Sequence, residues 1–139
     1  MFEMMRYIKN IILFIWQLPQ HIVALIYFGY LVMTCKDLGI DSRYKQATVI
    51  PCIIRGAITL GNYVFVGLNS EYRETVKHEL GHTIQSKILG PLYLIVIGIP
   101  SITYCGLRRL FPSLRMKCYY NFYPERMANY LSEKYISNL

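Results

Sequence analysis

Acidic residues are scarce in this 139-residue chain: eight Asp and Glu stand against fifteen Lys and Arg, a formal charge of +7. None lies between Glu79 and Glu125, so any acid-dependent chemistry must draw on very few side chains. Charged residues are only 17% of the chain against 54% hydrophobic, which excludes a disordered chain and is greasier than an ordinary soluble domain. The four cysteines (Cys35, Cys52, Cys105, Cys118) form no C-x-x-C pair, which excludes a zinc ribbon, a redox dithiol and the dense framework of a small secreted fold. They read as reduced thiols packed as small hydrophobes. Internal repeats and low-complexity tracts are lacking, and the length holds one core. The basic N-terminal start and apolar run resemble a signal peptide, but the run is too long and Met33-Thr34-Cys35-Lys36 is no cleavage site, so the segment is expected to stay attached.

What the chain has in quantity is apolar sequence. From Asn10 to Cys35 there is no formal charge, and the length permits a crossing of a bilayer. Pro19, flanked by Gln17, Gln20 and His21, predicts instead two shorter helices that meet there and lie in or dip into the membrane. A second charge-free stretch, Ile88 to Leu107, is interrupted by Gly90-Pro91 and Gly98-Ile99-Pro100. Arg108, Arg109, Arg115 and Lys117 follow it, placed to meet lipid head groups. No nucleic-acid motif accompanies the positive charge, so a lipid bilayer is the expected partner and nucleic acid is not.

Residues 36–47 read as a surface loop. Short β-branched and aromatic runs then occur at 48–54, 57–60 and 63–66, with Gly61-Asn62 as a hairpin turn, and predict a small antiparallel sheet. A helix is expected from Asn69-Ser70-Glu71, capped by Ser70, to Gly90-Pro91. Its apolar stripe is Val76, Leu80, Ile84 and Ile88, and Glu71, Thr75, His78, His82 and Gln85 share its polar face. A last helix starts at Tyr123-Pro124. The expected fold class is therefore α+β, with residues 1–35 as an apolar membrane-associated segment. Residues 36–139 form the functional unit and carry an apolar hairpin at 88–107.

The chemistry is concentrated in His78-Glu79-Leu80-Gly81-His82, an H-E-x-x-H motif inside a predicted helix. Spacing of four places both imidazoles on one face, able to grip one zinc ion, with Glu79 beside them as general base. Only three histidines exist and two are here, a coincidence expected in roughly three chains per thousand of this composition. A catalytic zinc usually takes three protein ligands. The acids beyond His82 are Glu125 and Glu133, and Glu125 is the better candidate because it opens the last helix.

This pattern resembles the gluzincin class of zinc metallopeptidases, in which a Glu from a later helix, often in E-x-x-x-D, completes the site. The resemblance implies that His78, His82 and Glu125 bind Zn2+, that Glu79 is the base, and that Asn129 stands where the family has an Asp behind a ligating histidine. The small size and the 43 positions from His82 to Glu125 look most like minigluzincins. The string from His78 to Ser86 with Leu89-Gly90-Pro91-Leu92-Tyr93 is also similar to small bacterial membrane-associated proteins. A peptide or protein substrate is then implied, and an inner-membrane location with the site on the cytoplasmic side. A zinc-binding module without turnover stays open, because the Asn129 amide lacks a carboxylate's charge. A zinc shared by His82 and Glu125 also forbids a full crossing by residues 88–107, since the hydrocarbon layer is about 30 Å thick. Of Tyr119, Tyr120, Tyr123 and Tyr130, none is singled out as an oxyanion donor, and His21 is not expected to bind metal.

Overall fold

The computed structural model describes residues 2–35, 38–44, 47–69, 71–115 and 118–136. In chain order the elements are α1 (Phe2–Trp16), α2 (Leu18–Thr34), β1 (Thr48–Cys52), β2 (Ala57–Leu60), β3 (Tyr63–Gly67) and α3 (Tyr72–Leu89). After these come α4 (Ile99–Leu110), α5 (Pro112–Arg115) and α6 (Tyr123–Tyr135). The class is α+β, dominated by helices around one three-stranded sheet.

The sheet runs in the order β1-β3-β2. The β2–β3 pair is the expected antiparallel hairpin, with Leu60 opposite Tyr63 across Gly61-Asn62. The expectation of an antiparallel sheet fails for β1, which pairs with β3 in parallel from Thr48↔Tyr63 to Cys52↔Gly67. The chain reverses twice, at residues 53–56 and at 61–62, and β3 then inserts between the earlier strands in the direction of β1. Burial on both faces makes β1 and β3 nearly continuous apolar runs, which carry no signal of strand direction. Val49, Val64 and Val66 face Val76 and Leu80 of α3, while Ile50 and Phe65 face Ala24 and Leu31 of α2. The result is three layers, α2 on the sheet on α3.

Helices α1 and α2 are bent by 74° about the break at Gln17, as the Pro19 signal predicts. Pro19 sits in the first turn of α2, where its missing N–H sacrifices no helical bond. The glutamines of this apolar run are buried clamps: Gln17 Nε2 donates to Ser86 Oγ at 2.8 Å, and Gln20 Nε2 donates to the Gly90 carbonyl. Both ties reach the C-terminal end of α3.

Helix α3 follows Glu71, whose N–H donates to Asn69 Oδ1 at 3.1 Å; Ser70, the expected cap, lies outside the described residues. Val76 and Leu80 are fully buried, but Ile88 is 56% exposed, so the apolar stripe leaves the core before the helix ends. The helix stops at Gly90, which adopts φ +52°, a conformation that favours glycine. A 3-10 turn (Gly90–Leu92) follows, and the path bends by 118° into residues 94–110.

A second break at Gly98-Ile99-Pro100 does not occur. A π-helical turn (Leu94–Gly98) runs straight into α4. Pro100 cannot donate to the Val96 carbonyl four residues back, and the Tyr123 hydroxyl donates to that carbonyl instead, at 2.5 Å. Among the described residues no single helix is long and apolar enough to cross a membrane; the two bent pairs reach that length only when joined across their bends. Of the thiols only Cys52 is buried; Cys118, expected inside, is exposed, because it lies in the connection between α5 and α6.

Candidate metal centre

The site is built where α3 crosses α6. At the crossing Gly81 lies against Ala128, and a Cβ on residue 81 would collide with the Ala128 carbonyl and backbone. Backbones this close bring His78 and His82, one turn apart on α3, up to Glu125 and Asn129, one turn apart on α6. Glu125 Oε2 lies 3.0 Å from His78 Nε2 and 3.3 Å from His82 Nε2. His78, Glu79 and His82 also each present a ligand atom within 4.8 Å of the others, a group able to hold a metal ion.

The outer ring atoms decide what the inner ones can do. Gln85 Nε2 donates to the Pro124 carbonyl at 2.8 Å, which turns Gln85 Oε1 toward His82 Nδ1 at 2.7 Å. That nitrogen must therefore carry the proton, which leaves the His82 Nε2 lone pair pointing at Glu125. Asn129 Oδ1 accepts from His78 Nδ1 at 2.6 Å with the same effect. Two imidazole nitrogens thus face one carboxylate oxygen: with both rings neutral their lone pairs and Glu125 Oε2 are all offered to a cation, and with the rings protonated the same nitrogens donate to Glu125. Tetrahedral zinc ligands at 2.0–2.1 Å from the ion lie about 3.3 Å from one another, close to the two histidine–glutamate spacings found here. The donor set and its spacing therefore fit a metal.

Glu125 is held from behind. Ser101 Oγ of α4 donates to Oε1 at 2.5 Å and the Tyr119 hydroxyl donates to the same oxygen at 3.0 Å. Burial pushes the Glu125 carboxyl up, but the bonds to His78 and His82, with His82's charge and Ser101, outweigh it and hold it well below the usual range. Burial likewise pulls His78 down, against its bonds to Glu125 and Asn129 and the Glu79 charge, and the balance is upward. Burial and then the Glu125 charge push the Tyr119 hydroxyl well above its ordinary value, so it remains a donor. Glu79, also buried, receives the Thr59 hydroxyl on Oε2 at 2.6 Å; Thr59 belongs to β2, the outer strand on this side.

All five predicted site residues meet here: His78, Glu79, His82, Glu125 and Asn129. Thr59, Gln85, Ser101 and Tyr119 were not predicted as part of the site. Gln85 carried a signal, since it follows His82 by three on the same helix face. Ser101 carried none, because only the 118° bend brings it to Glu125. Tyr120 meets His78 edge-on, ring centroids 5.2 Å apart, and is 51% exposed. His21 lies away from this group, beside Phe14 and Tyr63. Comparison with family models, with curated proteins and with solved structures finds no match to this chain.

Proposed function

We propose that this protein is a membrane-associated zinc metallopeptidase of the gluzincin type. The observation that supports the reading is Glu125 Oε2 at 3.0 Å from His78 Nε2 and 3.3 Å from His82 Nε2, with Glu79 grouped with the two histidines. A bound Zn2+ would supply Lewis-acid polarisation of the scissile carbonyl and a water more acidic than in bulk. Glu79 takes the proton of the attacking water on its carboxylate and delivers it to the leaving amine, with Thr59 donating a hydrogen bond to Oε2. Gln85 and Asn129 hold the two imidazoles in the metal-binding tautomer, and Ser101 and Tyr119 keep Glu125 on target.

The membrane part of the reading is supported by exposed apolar side chains on α1, α2 and α4, among them Ile11, Ile15, Ile26, Met33, Ile99 and Ile102. The bend after Gly90 supports a dip rather than a crossing, since Ser101, midway along the apolar stretch, touches Glu125 itself. The basic residues after α4 favour the cytoplasmic side of a bacterial inner membrane.

Asn129 favours one second reading, a zinc-binding membrane module without turnover. Metal analysis of detergent-extracted protein, with casein as substrate, separates them. One equivalent of zinc, cleavage lost in Glu79→Gln with zinc kept, and zinc lost in Glu125→Ala is the result expected of the enzyme. Zinc at one equivalent without cleavage in the wild type selects the module. Zinc absent from the wild type overturns both.

A further inference from the structure

Helix α4 is built inside out. Ser101, Tyr104 and Arg108, spaced by three and four, share the half-buried face toward the protein, while Ile99, Ile102, Leu107 and Leu110 look away from it. A surface helix of a globular protein does the reverse and turns its apolar stripe to the core. Ile102 and Leu110 are 63% and 74% exposed, and none of the 12 residues of α4 is buried. A helix with nothing buried draws little hold from the core, and such elements belong to the least stable parts of a fold.

The inner face nevertheless carries the back of the metal centre. Ser101 Oγ and the Tyr119 hydroxyl both donate to Glu125 Oε1. Tyr119 is itself placed by α4: its ring lies nearly parallel to that of Tyr104, centroids 5.9 Å apart, and the Arg108 guanidinium stands 5.4 Å from its centroid. Both donors on Glu125 Oε1 therefore depend on where α4 sits.

The outer face ends in positive charge. Arg115 closes α5 onto α4 by donating to the Arg108 and Arg109 carbonyls, which gathers three arginines at one end of the helix beside exposed Leu110 and Phe111. The sequence holds no acid from 80 to 124 that could neutralise them locally. An apolar face bordered by cations fits hydrocarbon bordered by anionic head groups. An apolar partner helix would cover the face and leave the arginines without a counter-charge.

We propose that α4 docks on an anionic phospholipid surface, and that docking holds Ser101 and Tyr119 on Glu125, so that the metal centre is complete only at such a membrane. This rests on the zinc-site reading above and adds the lipid that controls it.

The test uses the full chain in nanodiscs of phosphatidylcholine, alone or mixed with phosphatidylglycerol, at one chain per disc. Two quantities are read: hydrogen exchange of peptides covering 99–110 without metal, and zinc affinity by competition with a chromophoric chelator. Phosphatidylglycerol is expected to slow exchange in 99–110 and to tighten zinc binding about tenfold, the size of effect carried by hydrogen-bond partners behind a metal ligand. Ser101→Ala combined with Tyr119→Phe removes both donors and keeps the stack on Tyr104; it should retain the slowed exchange and lose the gain in affinity. Arg109→Glu reverses an exposed charge and should lose both. Attraction of zinc to the lipid itself acts on all three proteins alike, so the differences between them read the protein. Exchange equal in the two lipids, or slowed only with two chains per disc, overturns the docking. Zinc affinity equal in the two lipids, or a gain as large in the double variant as in the wild type, overturns the coupling and leaves the metal reading intact. Zinc bound by the wild type in neither lipid overturns the metal reading and the coupling with it, and exchange then measures the docking alone.

Discussion

Asn129 is the residue on which the strength of the proposed metal centre turns. Its amide oxygen holds His78 Nδ1 as a carboxylate would, but without the negative charge that raises the basicity of the opposite nitrogen. Asn129→Asp is expected to hold zinc about tenfold more tightly and Asn129→Ala about tenfold more weakly, read by competition with a chromophoric chelator. Gly81 has a different office, since it sets the distance between two helices. In Gly81→Ala the added methyl meets the Ala128 backbone, which cannot move aside as a flexible side chain would. A loss of about 1–3 kcal/mol in urea unfolding is expected, with zinc affinity reduced alongside, because the same crossing carries all the ligands. These five site residues were legible because a helix converts spacing into a shared face. Ser101 and Tyr119 were not, because their contacts with Glu125 arise from a bend and a connection whose paths no local pattern encodes.

Among the elements, the entry to α3 depends on an acid in the preceding loop. Asp41 accepts from Arg43 through both carboxylate oxygens, at 2.9 and 2.6 Å, and from the Tyr72 hydroxyl at 3.0 Å, while its own N–H bonds the Val49 carbonyl. It therefore links the loop to β1 and to the first turn of α3. The Arg43 hydrogen bond, with smaller help from Tyr72, holds its carboxyl at about 2, below the ~3.9 of an unfolded chain. A depressed folded-state value means that the ionised form stabilises the fold. That contribution is complete above about pH 4 and disappears as pH falls toward 2. Asp41→Asn should thus unfold at lower temperature than the wild type at pH 7, and the difference should close by about pH 2 in thermal melts followed by circular dichroism. The sheet shows where elements become unreadable: the β2–β3 hairpin declares itself through Gly61-Asn62, whereas the parallel pairing of β1 with β3 is decided by burial on both faces.

At the scale of the molecule, the proposed metal centre and the proposed lipid surface would place competing demands on residues 88–107. As a crossing the stretch would separate His82 from Glu125 by the hydrocarbon layer. As a hairpin it must keep its backbone satisfied within the protein, which the bond from Tyr123 to Val96 and the clamp from Gln20 to Gly90 do at its two weak points. On the proposed reading the bare apolar faces of α1, α2 and α4 would then meet lipid while Ser101 stays on Glu125. Two positions report the outcome: Glu71, just before α3, and Cys118, exposed after α5. With Cys35 and Cys105 replaced by serine, Cys118 and a Glu71→Cys substitution should react with a membrane-impermeant maleimide from the same side of sealed vesicles. Reaction from opposite sides would mean that residues 88–107 cross, and Glu125 could not then share an ion with His78 and His82. Reaction from one side, together with loss of zinc in Glu125→Ala, would join the topology and the chemistry in one arrangement. The ligands that close the metal centre would then also hold the apolar hairpin against the membrane face of the protein.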